Sequence, residues 1–213
     1  MQTNKLRSAL TVAITVVLLL GGAASANAAP EGPSASAKAN SQRSTTTNAD
    51  CMAQLKKASS QVSTELCTSI VVLEVSEATA VTSGDLADAK STMSESEYAS
   101  LVAAAATSAV YSKNYSQTIS QITDQERQYG KFYYNGTRAW VTTSYAGYKG
   151  THYCVVDYAV GYSITKNWCS DGGSLAQRTL QMSWHFSVFV NGGPISWSET
   201  YTMYVNRSGA IWQ

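Results

Sequence analysis

The sequence predicts an α+β protein whose C-terminal part, residues 129–213, is a mainly antiparallel β-domain, a small sandwich or barrel-like meander. This stretch holds all five Trp, all three Phe and ten of the thirteen Tyr of the chain, and aromatic residues favour strands. Apolar and polar residues alternate over several segments, and turn signals separate these segments with no helical pattern between them. Regular short strands of this kind are typical of antiparallel sheets.

Residues 1–28 have the parts of a secretory signal peptide. Lys5 and Arg7 give a positive start, residues 9–20 form an apolar run, and residues 26–28 (Ala-Asn-Ala) are the small residues that signal peptidase requires. The apolar run is shorter than the ~20 residues of a membrane-spanning helix. We therefore predict cleavage after residue 28, a secreted, extracellular product and no membrane insertion after cleavage.

Residues 29–49 are mostly small and polar, so they bury too little surface to offset the entropy of ordering, and a disordered tether is predicted. Residues 50–128 are predicted to be a mainly helical N-terminal segment and linker. Whether residues 29–128 are removed as a pro-segment is left open by the sequence.

Two helices are predicted within this helical segment. Asp50 is placed to cap a short helix that ends near residue 59. Ser94 and Glu97 form a capping box, in which each side chain accepts a hydrogen bond from the other residue's backbone N–H, at the start of a second helix. Residues 70–75 (IVVLEV) fit either a strand or a buried helix. Residues 112–128 fit a linker or a weak first strand.

The β-domain begins with a predicted hairpin. Its strands are 132–134 and 137–145, and Asn135-Gly136 between them is typical of a type I′ turn. Further turns are predicted at 146–150, 171–173 and 191–194, and they separate three one-sided strands: 152–164, 180–190 and 195–205.

Charge argues against nucleic acid as a partner. Residues 129–213 carry six basic and three acidic side chains, a net charge of +3, and the basic residues are not clustered. Binding to nucleic acid depends on clustered Lys and Arg that neutralise several phosphates. The preceding residues 29–128 carry seven basic and eleven acidic side chains, a net charge of −4.

The four cysteines of the mature chain favour two disulfides, since an even count on a secreted chain is typical of disulfide bonding. Cys51–Cys67 and Cys154–Cys169 are the favoured pairs because each closes a short loop, although three connectivities are possible. No CxxC or His spacing suits zinc. We predict no metal and no cofactor.

Glu199 lies on the apolar face of the last predicted strand, where an unpaired carboxylate is costly. One interpretation is an acid inside a ligand pocket with a raised pKa, suited to general acid catalysis. The other is a β-bulge near Ser198 that turns Glu199 to solvent, or an ion pair with an arginine such as Arg138.

A small secreted hydrolase is therefore an alternative function. It would use Glu199 with Asp157 as the two carboxylates of a glycosidase, or with one of the two histidines, His152 and His185. No GxSxG, HExxH or nucleotide-binding motif accompanies them.

The favoured function is a non-catalytic binding module. Several aromatic residues fall off the apolar faces or in turns, and exposed rigid rings provide contact area at low entropic cost. The predicted partner is an extracellular protein or a cell-envelope glycan. A structural component of the extracellular matrix or cell surface is a further alternative. The predicted binding residues are Tyr133, Tyr145, Tyr148, Tyr153 and Trp168.

Overall fold

The computed structural model describes residues 40–58, 64–81, 90–91, 94–107, 109–161, 163–190 and 193–213. The predicted signal peptide lies outside them. The described chain contains a 3₁₀ turn (Thr64–Cys67), the helices α1 (Ala49–Ala58) and α2 (Glu95–Thr107), and these strands: β1 (Asn40–Thr47), β2 (Thr68–Val75), β3 (Thr79–Ala80), β4 (Tyr111–Ser120), β5 (Asp124–Tyr134), β6 (Ala139–Trp140), β7 (Thr151–Ala159), β8 (Ser163–Gly173), β9 (Gln177–Val190), β10 (Gly193–Asn206) and β11 (Ile211–Trp212).

The strands form two antiparallel sheets. The seven-stranded sheet has the order β1–β2–β4–β5–β6, with β3 paired to β4 and β7 paired to β5. The four-stranded sheet has the order β11–β10–β9–β8. The predicted α+β fold with a mainly antiparallel β-domain is confirmed. Within the described residues, no helix is long and apolar enough to cross a membrane.

The hydrophobic core lies between the two sheets, as in a sandwich. In one half, Val71 and Ile119 of the seven-stranded sheet pack with Met182 and Phe186 of the four-stranded sheet, and α1 closes that half. In the other half, Phe132 and its neighbours pack against the four-stranded sheet at Leu180, Met203 and Val205. Side chains that alternate along each strand thus fill one shared layer.

Both predicted disulfides are present. Cys51–Cys67 has a Cα–Cα distance of 5.7 Å and ties α1 to the residue before β2. Cys154–Cys169 has a Cα–Cα distance of 5.8 Å and joins β7 to β8. The second disulfide does not join two neighbouring strands of one hairpin, because β7 and β8 belong to different sheets. It therefore links the two sheets of the sandwich.

The predicted boundary between a helical segment and a β-domain at residue 129 is wrong. Strands β2 and β4 and the first five residues of β5 lie within residues 50–128. Residues 40–47 of the predicted disordered tether form β1, which pairs with β2 along its whole length. All eight residues of β1 are exposed, so backbone hydrogen bonding rather than apolar burial holds this strand.

Of the two helix caps predicted from the sequence, only the one at α2 is confirmed. The Ser94–Glu97 capping box is confirmed: Ser94 N donates to Glu97 Oε2 (3.1 Å), and Glu97 N donates to Ser94 Oγ (3.4 Å). At α1 the cap is Asn48 instead of Asp50, because Asn48 Oδ1 accepts the hydrogen bond from Cys51 N (2.8 Å).

Two turns and one strand also differ from the prediction. Only Gly136 of the Asn135-Gly136 pair has a positive φ, so this turn is not type I′. The predicted strand 152–164 is split, and its second part begins β8 in the other sheet. Residues 171–173 extend β8 instead of turning. The predicted strands 180–190 and 195–205 are confirmed as β9 and β10.

Candidate functional site

The outer face of the seven-stranded sheet carries a row of aromatic and basic side chains along β5. Because side chains alternate across a strand, Arg127, Tyr129, Lys131 and Tyr133 share this face, while the residues between them are buried towards the core. The Arg127 guanidinium lies 4.8 Å from the Tyr129 ring centre, and Lys131 Nζ lies 5.6 Å from the Tyr133 ring centre. At ~3.4 Å per residue, the row is ~20 Å long.

Strand β7 adds Tyr153 to this row. The register places Tyr153 opposite Tyr129, and their ring centroids are 5.4 Å apart. Tyr129 is buried, whereas 46% of Tyr153 is exposed. A solvent-facing ring is thus seated on a buried one. We call the set Arg127, Tyr129, Lys131, Tyr133 and Tyr153 the outer-face strip.

Asp157 closes one end of the outer-face strip. Its Oδ1 lies 2.9 Å from Arg127 Nη2, and its Oδ2 accepts a hydrogen bond of 2.9 Å from Gln125 Nε2. This exposed ion pair is worth little stability, ~0–1 kcal/mol, but it fixes the guanidinium over the Tyr129 ring. The geometry gives Asp157 a positioning role on this face.

Three of the predicted binding residues meet around Trp140 at the other end. The Tyr133 ring stacks on Trp140 (5.8 Å) and Tyr148 (5.3 Å), and Tyr145 meets Trp140 edge-on at 5.0 Å. Trp140 Nε1 donates a 2.9 Å hydrogen bond to the carbonyl of Tyr148. Tyr148 is buried and is not the exposed ring that the sequence predicted, whereas Tyr133 and Tyr145 are half-buried. The Arg138 guanidinium lies 3.8 Å from the Tyr145 ring centre.

Trp168 lies apart from the other four predicted binding residues. It belongs to β8, an edge strand of the four-stranded sheet, and 48% of it is exposed. The strand register shifts between Lys166 and Trp168, so a bulge precedes it. The fold thus brings Tyr133, Tyr145, Tyr148 and Tyr153 to one face and leaves Trp168 on the other sheet.

Glu199 is buried between the sheets. Pairing between β9 and β10 is uninterrupted, so no bulge turns Glu199 to solvent. Arg138 stacks on the Tyr145 ring and does not form the predicted ion pair with Glu199. Trp197 Nε1 donates to Glu199 Oε1 (3.0 Å), Gln121 Nε2 lies 3.2 Å from Oε2, and the Tyr201 hydroxyl also donates to the carboxylate. Burial raises the pKa of Glu199, although these three hydrogen bonds act in the opposite direction.

Two further acidic residues accompany Glu199, and the sequence analysis missed both. Asp124 and Glu126 are fully buried. Burial, followed by the nearby charges of Asp124 and Glu199, raises the pKa of Glu126 to about 9, and burial also raises the pKa of Asp124. Neither carboxylate oxygen of Glu126 receives a hydrogen bond. Glu126 is therefore protonated at neutral pH, and its side-chain hydrogen bond with Asp124 also favours the protonated form and raises the pKa.

The residues of the hydrolase alternative do not share a cleft. Asp157 lies on the outer face of the seven-stranded sheet, whereas Glu199 lies on its inner side. His152 Nδ1 lies 2.9 Å from the Tyr115 hydroxyl and its Nε2 lies 3.4 Å from the Gln181 carbonyl, and burial lowers its pKa. His185 Nδ1 lies 3.2 Å from Ser198 Oγ on the exposed side of the four-stranded sheet.

Within the part of the chain that the structure describes, one group of side chains has the spacing of metal ligands: His152, Cys154 and Cys169. The two sulfurs are joined in a disulfide, however, and a metal needs a thiolate. His152 Nε2 lies 3.7 Å from Cys154 Sγ, so this histidine packs against the disulfide.

The chain matches no protein-family model, no curated protein and no solved structure.

Proposed function

We propose that this protein is a secreted, non-catalytic binding module that engages an extracellular protein or a cell-envelope glycan through the outer-face strip. The exposure of Tyr153 on the buried Tyr129 ring carries this proposal. A ring that is already held in place loses little conformational entropy when a partner covers it, and aromatic and Arg side chains contribute strongly to binding energy at interfaces.

The cations of the strip support the same function. Arg127 and Lys131 each lie over a tyrosine ring, so an apolar surface and a positive charge alternate along β5. A protein epitope or a sugar chain can lie along such a row, with ring contacts for apolar faces and charged donors for hydroxyl or carboxylate groups.

The disulfides support an extracellular site of action. Such bonds persist in oxidising compartments and are rare in the cytosol. The predicted signal peptide points to the same route, and detection of a mature N-terminus at Ala29 in culture medium would test it.

A matched pair of tyrosines tests the binding face. Tyr153 and Tyr158 lie on the same strand and each is 46% exposed, but only Tyr153 belongs to the strip. The mature chain, residues 29–213, is incubated with cell-wall and culture-medium fractions of the producing organism, with and without protease treatment of the fraction. We expect Tyr153→Ala to reduce retention at least tenfold and Tyr158→Ala to leave it unchanged.

Protease treatment separates the two partner classes: retention that survives it indicates a glycan, and retention that is lost indicates a protein. Equal retention of the parent and both variants would refute the strip as the binding face. Circular dichroism confirms that both variants fold.

A further inference from the structure

A concave site lies at one end of the sandwich, apart from the outer-face strip. It is a cleft of about 350 Å³ where β4 begins, β5 ends and the β10–β11 turn approaches. A hydrogen bond of 2.9 Å from Gly136 N to the Arg207 carbonyl joins the two turns that flank it. This volume is at the lower end of the ~300–1,000 Å³ typical of small-molecule pockets. We call it the end cleft.

Two stacked tyrosines form the apolar wall of the end cleft. The rings of Tyr111 and Tyr134 are 5.6 Å apart and inclined by 23°. Gly209 packs directly on the inner ring, since a Cβ there would lie 2.3 Å from Tyr134 Cζ. Tyr134 is therefore fixed and buried, while Tyr111, 36% exposed, offers a ring to a ligand.

The electrostatics of the end cleft favour an anion. Arg207 lines it and is exposed, and Lys113 Nζ lies 6.0 Å from the Tyr134 ring centre and donates to the Gly209 carbonyl (2.8 Å). Among the described residues neither cation forms a salt bridge. Of the described residues that line the cleft, none is acidic.

Asn135 and Ser208 add hydrogen-bonding groups. Asn135 Oδ1 already accepts from Thr137 N, Thr137 Oγ1 and Arg138 N, which leaves the Nδ2 hydrogens for a ligand. Ser208 Oγ donates to Asn206 Oδ1 (2.7 Å), so its lone pairs remain as acceptors. A hydroxyl-bearing ligand needs both a donor and an acceptor of this kind.

We propose that the end cleft binds an acidic sugar, a pyranose ring that carries a carboxylate. The ring lies against Tyr111, the carboxylate pairs with the Arg207 guanidinium, and hydroxyl groups bond to Asn135 and Ser208. Arg suits this role because its planar guanidinium binds a carboxylate through two parallel hydrogen bonds. The site goes beyond the function proposed above, since none of its residues belongs to the outer-face strip.

Calorimetric titration of the mature chain with tetragalacturonate, and with neutral maltotetraose as the comparison, tests the site. We expect the acidic tetramer to bind at least tenfold more tightly than the neutral one, and Arg207→Gln and Tyr111→Ala each to weaken it at least tenfold. The control is Arg43→Gln, which removes an exposed arginine from β1 and leaves the affinity unchanged. Arg207 is exposed, so its substitution leaves the fold intact, which circular dichroism verifies.

The experiments distinguish an error in the proposed function of the end cleft from an error in the proposed function of the outer-face strip. Loss of binding in Tyr153→Ala but not in Arg207→Gln would place the acidic sugar on the strip and overturn the end-cleft assignment. Equal affinity for both tetramers, or an equal loss in the Arg43 control, would also overturn it. Absence of any binding to tetragalacturonate would overturn it and leave the cell-fraction test of the strip unaffected.

Discussion

Replacement of Glu126 by Gln should stabilise this protein at neutral pH. The pKa of Glu126 is raised from 4.5 to about 9 in the folded chain, chiefly by burial. Between those two values the unfolded chain releases the proton and the folded chain keeps it. Stability from this group is therefore complete below pH 4.5 and is lost as the pH rises towards 9, at about 1.4 kcal/mol per pH unit.

At pH 7 the loss relative to pH 4 amounts to about 3 kcal/mol. Glutamine has nearly the same shape, is neutral at every pH and can donate through Nε2 towards Asp124, as the protonated acid does. Glu126→Gln should therefore exceed the parent by about 3 kcal/mol in unfolding free energy at pH 7 and equal it at pH 4. The pKa values of Asp124 and Glu199 are raised as well, so the remaining pH dependence keeps the same direction.

Urea denaturation with the disulfides intact, at half-unit steps between pH 4 and 8.5, measures this difference. The control is Glu77→Gln, which replaces an exposed glutamate and should follow the parent at every pH. A constant difference between Glu126→Gln and the parent across the series, or a less stable variant at pH 8, would refute the reasoning. Either result would mean that Glu126 is ionised in the folded chain.

Three further predictions concern stability. Replacement of both Cys51 and Cys67 by Ser, which opens a loop between cysteines 16 positions apart, should lower the unfolding free energy by about 3 kcal/mol in urea denaturation, and an unchanged midpoint would contradict it. Gly209→Ala should lower the free energy of unfolding more than Gly136→Ala does. Both glycines have a positive φ, so each substitution loses about 1 kcal/mol, but only the Gly209 variant also displaces the Tyr134 ring. Equal losses of stability in thermal unfolding would disprove the contact between Gly209 and Tyr134. Ser94→Ala removes half of the capping box and should weaken α2 by about 1 kcal/mol, seen as faster amide exchange confined to residues 95–107.

Local sequence patterns determined much of this fold. Alternation over 180–190 and 195–205 predicted β9 and β10, since every second side chain of those strands enters the core. An even number of cysteines on a chain predicted to be secreted, and the short loops that the favoured pairs close, predicted both disulfides. The Ser94–Glu97 pair predicted the start of α2, because a capping box is satisfied entirely within four residues.

Strands β1 and β4 and the first half of β5 were not predicted, because polar residues interrupt the alternation of apolar and polar side chains that marks a strand. In β4, Tyr115, Gln117 and Ile119 face inward, and a buried glutamine in that row hides the period of two. In β5, extension of the alternation to the N-terminal side of Lys131 would have found Arg127 and Tyr129. The backbone of β1 pairs with β2 without any apolar side chain to mark it.

The sequence by itself determined the aromatic, disulfide-linked β-domain and four of the residues that meet on its outer face, because these depend on alternation and spacing along one chain. Only the tertiary structure decided how Glu199 is satisfied. Gln121 is 78 positions away from Glu199, and Asp124 and Glu126 reach the same buried space from the opposite sheet. Whether a buried acid is ionised depends on neighbours across the core, and no local pattern specifies those neighbours.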